Sequence, residues 1–532
     1  MAHSVQNRWY PIVAVFAALV LLPLSVLLLS WSDINHEIWQ HLWETQLPRL
    51  LGNTSALVLG VGVGVTVLGV GLAWLTALCE FPGRKWLDWA LMLPFAIPAY
   101  VLAFVFVGLL DFAGPLQTTL REWFGSGLRL PRVRSTGGVI TVLVLVFYPY
   151  VYLLARNAFL AQGRGLMEAA RVLGLSPWQA FWRVALPVAR PAIGAGLALA
   201  IMETLADFGA VSVFNFDTFT TAIYKTWYGF YSLSSATQLA SVLLLFVMLA
   251  LWSERRSRGA ARPGNERART AALYPLRGWR ALAACGACGA VFVCAFVVPM
   301  LQLVVWFWQR GRFDIDDRYI GLISHTLYLG ILAAGLTVIA ALLLAFAHRS
   351  HPSPRLRSLV ALSNVGYALP GSVLAVSIML AFSWLDNHAL IPLLGKPLLL
   401  GSLIALLLAY LIRFMAVAYG PLENSLARIR PSLPEASRSL GVSGGRLFAR
   451  VYVPLLLPGA LGAALLVFVD VLKEMPATLL MRPFGWDTLA VRVFEMTSEG
   501  EWARASLPAL TLVLVGLLPV IGLIRRSARR LG

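Results

Sequence analysis

Glu203 and Asp207 stand four apart in an apolar stretch, and Asp470 and Glu474 repeat them 267 residues later with Lys473 alongside. A charge at bilayer depth costs at least about 2.5–3.5 kcal/mol on insertion scales, so such groups belong on a bundle interior or in a wet cavity. Two uses are open to them. They could line a pathway or gate, where contacts to a cation must be weak enough to release it. They could instead form a structural network, with Lys473 neutralising Asp470 and Asp207 accepting a hydrogen bond from the other half. Covalent and hydrolytic chemistry finds no such candidates. The chain has no Gly-x-x-x-x-Gly-Lys-Ser/Thr phosphate loop, no dinucleotide fingerprint and no His-Glu-x-x-His helix. Cys285-x-x-Cys288 has ligand spacing, but its neighbours are Ala and Gly, with no second pair or histidine nearby. Small buried thiols are the expectation there and at Cys79 and Cys294, with no disulfide framework. No catalytic residue, bound cofactor or firm metal site is nominated.

The elements that must position the charged groups are membrane helices. The chain has 532 residues, of which 59% are hydrophobic and 13% charged, half the usual share for a globular domain. About twelve apolar runs reach the length that crosses a bilayer as helix, the first at 10–31 and the last at 505–525. The third is 89–111, the fifth 192–214, the ninth 359–385 and the eleventh 456–480. None alternates as barrel strands do. The first is long for a signal peptide and lacks a clear cleavage site, so it is expected to be retained. Pro98 and Pro370 fall inside the third and ninth runs and are expected to kink them. The glycines at 60, 62, 64, 69 and 71 suit close helix contact in the second run. The fold expected is an all-α polytopic membrane protein.

The net charge of +18 lies in an excess of Lys and Arg on one side, provided the N-terminus is cytoplasmic. Arg255, Arg256, Arg258, Arg262, Arg267, Arg269 and the tail arginines Arg525, Arg526, Arg529 and Arg530 are inner clusters. That is the positive-inside bias and suits an anionic leaflet rather than nucleic acid. Both termini are then cytoplasmic. The outer stretch 121–134 goes against the trend.

The polar stretch 254–279 divides the chain into 1–253 and 280–532, with six spans each. Ala96–Ala103 answers Ala368–Ala375, Leu205–Ala210 answers Leu472–Ala477, and Phe216-Asp217-Thr218 answers Trp486-Asp487-Thr488. An even number of spans per half makes the copies parallel repeats, with a pathway expected at their interface.

A polar insert recurs in each half. Glu168-Ala169-Ala170-Arg171-Val172-Leu173-Gly174 precedes Pro187 by nineteen positions from the glutamate, and Glu435-Ala436-Ser437-Arg438-Ser439-Leu440-Gly441 precedes Pro454 by the same nineteen. The first insert runs over about 164–190. Gly174 suits a left-handed helix stop, Ser176 and Gln179 a capping box, and Pro177 the first helical position. In the second, about 424–454, Ser432 and Glu435 are expected to form a capping box. Gly441 supplies the turn, Ser443 could open the next helix, and Gly444 and Gly445 make that knuckle looser. Amphipathic anchoring would explain one such insert. Two at matched places favour docking surfaces for a partner.

These segments resemble the Glu-Ala-Ala loop of permease subunits of bacterial ABC importers, over essentially the whole chain, as the fused two-half type. Ser437 in place of the second alanine is a mild departure. The segment Ala206–Tyr224 is similar to the iron(III) transport (FbpB/SfuB-like) branch; thiamine and phosphonate permeases have similar loops. The resemblance implies a type I importer fold in the bacterial inner membrane. It implies two copies of a cytoplasmic ABC ATPase docked on the loops and using the ATP, and a periplasmic substrate-binding protein that delivers cargo. It implies no ATPase site in this chain. An ion-coupled secondary transporter would share the repeat but leaves the duplicated inserts unexplained.

Overall fold

A computed structural model describes residues 2–125, 127, 131–257, 274–350 and 353–531. The side chains at 2–8, 163–165, 171, 253–257, 394 and 523–531 lie outside that description, as do residues 258–273. The arginine clusters at 255–269 and 525–530 and the Arg171 side chain therefore fall outside the described residues.

Among the described residues, twelve helices are long and apolar enough to cross a membrane. They are Trp9–Ser32, His36–Leu78, Ala99–Phe124, Thr136–Ala161, Pro177–Ala206, Leu233–Trp252, Trp279–Gln309, Asp317–Ser350, Gly371–Leu393, Leu403–Ala427, Gly444–Lys473 and Trp502–Gly522, called here the first to twelfth spans. Helix is the form such runs must take, because hydrocarbon leaves the backbone to satisfy its own hydrogen bonds. One two-residue parallel ladder, Cys79–Glu80 with Tyr274–Pro275, is the only strand pair among the described residues.

The spans are interrupted in a repeated way. The third and ninth apolar runs, 89–111 and 359–385, are broken rather than kinked. A 3₁₀ turn ends in extended Ile97 and Leu369, and Pro98 and Pro370 then stand as N-caps of Ala99–Leu110 and Gly371–Leu385. Proline forces the residue before it out of the helical region, so the apolar run holds two helices instead of one bent helix. The fifth and eleventh break too. Helix stops at Ala206 and at Lys473, Asp207 and Glu474 are extended, and short helices Gly209–Val213 and Pro476–Met481 follow. Proline also accounts for the five π turns among the described residues, which end at Gln46, Ala185, Val297, Leu390 and Tyr452. Two residues after each end stands Pro48, Pro187, Pro299, Pro392 or Pro454. The ring lacks an N–H and crowds the carbonyl four residues back, and a widened turn moves that carbonyl away without ending the helix.

Two compact units can be distinguished. One comprises Met1–His36, Ile223–Ser241 and Asp316–Val491; the other comprises Glu37–Ala222, Val242–Ile315 and Arg492–Gly532. Each therefore draws chain from both sides of the 254–279 stretch. In the former the first span packs on helix Pro354–Ser363 and on the ninth span, with Tyr10 bonded to Ser353 at 2.7 Å. Gln238 Nε2 ties the sixth-span end to the carbonyls of Ser30 and Asp33. In the latter the second span lies against the fourth so closely that a Cβ at Gly60, Gly64 or Gly69 would overlap Ile140, Val144 or Val151. Gly71 faces open space, so the packing expectation holds for part of the glycine set. Arg504 makes a two-pronged pair with Asp314, fixing the start of the twelfth span.

Candidate functional site

The two polar inserts fold as matched knuckles. In the first, helix Gly163–Val172 ends at Gly174 (φ 77°), where the Leu175 N–H reaches back to the Ala170 carbonyl. A left-handed residue closing that bond is the usual helix stop. Ser176 and Gln179 then form the reciprocal capping box, with Pro177 at the first helical position. In the second, helix Ser432–Ser439 ends at Gly441 (φ 79°), with the Val442 N–H bonded to the Ser437 carbonyl. Its start differs from the sequence expectation. Pro431, with helical backbone, is the N-cap, so Ser432 is already inside the helix and no Ser432–Glu435 box forms. Ser443 is the next N-cap but makes no side-chain bond, and Gly444 takes φ 57°. The second knuckle thus lacks the capping box that opens the second helix of the first.

The two knuckles present similar faces. Glu168 and Ala169 are exposed while Met167 and Ala170 are buried; Glu435 and Ala436 are exposed while Pro434 is buried and Ser437 half-buried. Apolar groups stand out beside them. Val172, Leu173 and Trp178 are 87%, 79% and 69% exposed, as is Leu440 at 82%. Pro187 and Pro454 sit just beyond the π turns that carry each knuckle into its span.

The intramembrane charges collect at the helix breaks. Glu203 is in the last turn of the fifth span, but Asp207 lies past its end, so the two do not share a helical face. Asp207 Oδ1 accepts from the Val211 N–H at 3.0 Å, a bond within its own segment. Glu474 Oε1 likewise accepts from Ala477 at 3.1 Å. Each carboxylate holds the first turn of the short helix after the break, where a negative charge faces orphan N–H groups. Asp470 and Lys473 are half-buried near the end of the eleventh span.

Glu474 has a further partner that reading the sequence does not reveal. Arg413 Nε lies 3.3 Å from its Oε2, and Arg413 Nη1 donates to the Leu369 carbonyl at 3.2 Å. One guanidinium thus joins the tenth span to the breaks in the ninth and eleventh. A Cβ on Gly371 would overlap Glu474 Oε1 and stand 2.9 Å from Arg413 Nη1. At the matched positions the chain has Ala99, Val146 and Asp207. A second ion pair, buried Arg156 with both oxygens of half-buried Asp88, joins the fourth span to helix Arg84–Ala90. Arg413 and Arg156 lie within apolar runs, which is the signal the sequence offers for them. Among the described residues no three His, Cys, Asp or Glu side chains gather as a metal set.

Among the described residues, twelve membrane-length helices, broken where charges sit and accompanied by two exposed charged knuckles, define a polytopic membrane transport protein. Residues 66–256 match the family model for the binding-protein-dependent transport system inner membrane component. The chain is 28% identical to the Fe(3+)-transport system permease protein FbpB 2 of Haemophilus influenzae, over 90% of each chain. It is 24% identical to the ferric transport system permease protein FbpB of Actinobacillus pleuropneumoniae, over 95% of this chain and 74% of that one. It is 30% identical to the molybdenum transport system permease protein ModB of Escherichia coli, over 41% of this chain and 96% of that one. The chain belongs to the binding-protein-dependent transport system inner membrane components, the permease subunits of ABC importers.

Proposed function

We propose that this chain is the complete transmembrane pathway of an iron(III) importer, moving cargo by alternating access driven from outside the chain. The observation that carries the reading is the pair of knuckles, which repeat the same helix, left-handed glycine and second helix 267 residues apart with Glu168 and Glu435 exposed. Two handles of one design call for two copies of one engine. The reading is that two cytoplasmic ABC ATPase subunits grip residues 168–187 and 435–454 and spend the ATP, while a periplasmic binding protein presents the cargo. Nucleotide and binding protein drive the switch only through their higher affinity for the outward state.

The tandem reading, 1–253 and 280–532 joined by 254–279, is supported by the alignment of nearly all of a shorter permease, ModB, to two-fifths of this chain. Iron(III) is supported by the ferric permeases that align over most of its length. Both termini lie on the cytoplasmic side of the inner membrane in this reading. The carboxylates Glu203, Asp207, Asp470 and Glu474, with Lys473, act at the pathway or its gate.

Cysteine pairs test the docking. With cysteine at Glu168 or Glu435 and on the ATPase surface, disulfides should form at both positions and respond to nucleotide. Labelling of these cysteines only from the periplasmic side would contradict the reading.

A further inference from the structure

Where the eighth span ends beside the tenth, three donor atoms of different chemistry converge. His348 Nδ1 is 2.8 Å from the Tyr419 hydroxyl and 3.1 Å from Glu423 Oε1, and the Tyr419 hydroxyl donates to Glu423 Oε1 at 3.0 Å. For an octahedral ion with bonds of about 2.1 Å, neighbouring ligand atoms stand about 3 Å apart. The triangle has the dimensions of one octahedral face. Tyr419 and Glu423 are one turn apart on one helix and His348 comes from another, so two elements hold it. Arg349, the next residue, donates to the carbonyls of Leu426 and Ile429 and so pins the end of the tenth span to the eighth. The side chains of His348 and Glu423 are 26% and 45% exposed, which leaves a side open for an ion to enter.

The matched place earlier in the chain shows what the triangle is not needed for. There the residues are Thr76, Tyr152 and Arg156, at offsets of 272 and 267. Tyr152 bonds Thr76 and donates to the Asp88 carbonyl, and the Arg156 cation stands where Glu423 does. Helix packing is satisfied there by a set that repels a metal; in the later copy it is done by three groups whose chemistry can ligate one.

We infer that His348, Tyr419 and Glu423 form a three-donor site for the ferric cargo, close before the second knuckle. The inference rests on the iron(III) reading of function. Carboxylate and phenolate are hard anionic donors and imidazole is a common iron ligand, a combination suited to iron(III). On binding, His348 moves its proton from Nδ1, where it faces Glu423, to Nε2 and supplies the Nδ1 lone pair; Glu423 supplies one oxygen, and Tyr419 its oxygen after the phenolic proton passes to water. No electron is transferred. Three positions stay with water or a chelator, so the ion is held by half a shell and can leave.

The test titrates the full chain in lipid nanodiscs with ferric citrate. A visible phenolate-to-iron charge-transfer band should grow to one iron per chain. Tyr419→Phe, which removes only a hydroxyl, should abolish it, and His348→Ala and Glu423→Gln should each weaken binding by more than about tenfold. Tyr152→Phe should leave the band in place. Should Tyr419→Phe fail to fold, Glu423→Gln at its half-exposed position decides the matter through affinity: a tenfold loss supports the site and an unchanged affinity overturns it. No band in the wild-type chain, or a band that survives Tyr419→Phe, overturns the site. ATP-driven iron uptake is measured on the same purified chain reconstituted into proteoliposomes with its ATPase and binding protein: uptake without a band overturns the site alone, and absence of iron uptake overturns both it and the iron(III) reading.

Discussion

Replacing Gly371 with alanine should drive a methyl group into the Arg413–Glu474 ion pair. The added carbon would overlap Glu474 Oε1, with Arg413 Nη1 2.9 Å and the Ala477 nitrogen 3.4 Å away. Neither charged group retreats easily. Glu474 is 6% exposed and also holds the Ala477 N–H, while Arg413 is bound to the Leu369 carbonyl. Overpacking costs about 1–3 kcal/mol, and leaving a buried charge without its partner costs about 3–5 kcal/mol. The methyl displaces the carboxylate without deleting it, so Gly371→Ala should destabilise by about 2–4 kcal/mol. Ala99→Gly at the matched position adds only backbone freedom and should cost at most about 1 kcal/mol. The assay is thermal unfolding of the purified chain in micelles, followed by tryptophan fluorescence. Gly371→Ala should melt well below the wild type. Glu474→Asp, one methylene shorter, should restore part of the loss when added to it, re-creating the Ala99–Asp207 combination. A Gly371→Ala chain that melts with the wild type would refute the claim that this glycine exists to admit the carboxylate.

Arg156→Met strands the Asp88 carboxylate and should cost about 3–5 kcal/mol in the same melt, with Asp88→Asn in addition recovering much of it. Ser176→Ala removes a formed capping box and should raise hydrogen exchange over residues 177–185 by the equivalent of about 1 kcal/mol. Ser443→Ala removes no side-chain bond and should leave exchange over 444–452 unchanged. Charge reversal of Glu168 and Glu435 together should abolish ATPase stimulation by loaded binding protein in reconstituted complex while leaving the melting temperature of the chain alone unchanged.

Hydropathy is a one-dimensional signal, and the bilayer makes it nearly sufficient for the fold. All twelve spans are legible in the sequence because lipid leaves an apolar run one structure to adopt. The knuckles are legible for local reasons, since Gly174, Ser176, Pro177 and Gln179 act on neighbours within a turn. Expectation and structure part where one residue redirects the chain. Pro98 and Pro370 end helices that hydropathy joins, and Pro431 takes the cap position offered to Ser432. The break at Asp207 lies within run 192–214, where composition gives no warning, while that at Glu474, in run 456–480, is marked by Pro476 at the start of the next helix. Arg413 and Gly371 are out of reach for another reason: their meaning depends on Glu474, 61 and 103 residues away. The triangle of His348, Tyr419 and Glu423 is hidden in the same way, because its members come from two spans.

In the proposed cycle an external ATPase works this bundle through two handles. Proteoliposomes containing the chain, its ATPase and its binding protein, supplied with ferric iron, measure that directly. Iron should accumulate only with hydrolysable ATP inside the compartment facing the knuckles, and should stop when Glu168 and Glu435 are both reversed in charge. Accumulation driven by an imposed ion gradient, with no ATPase present, would contradict the account.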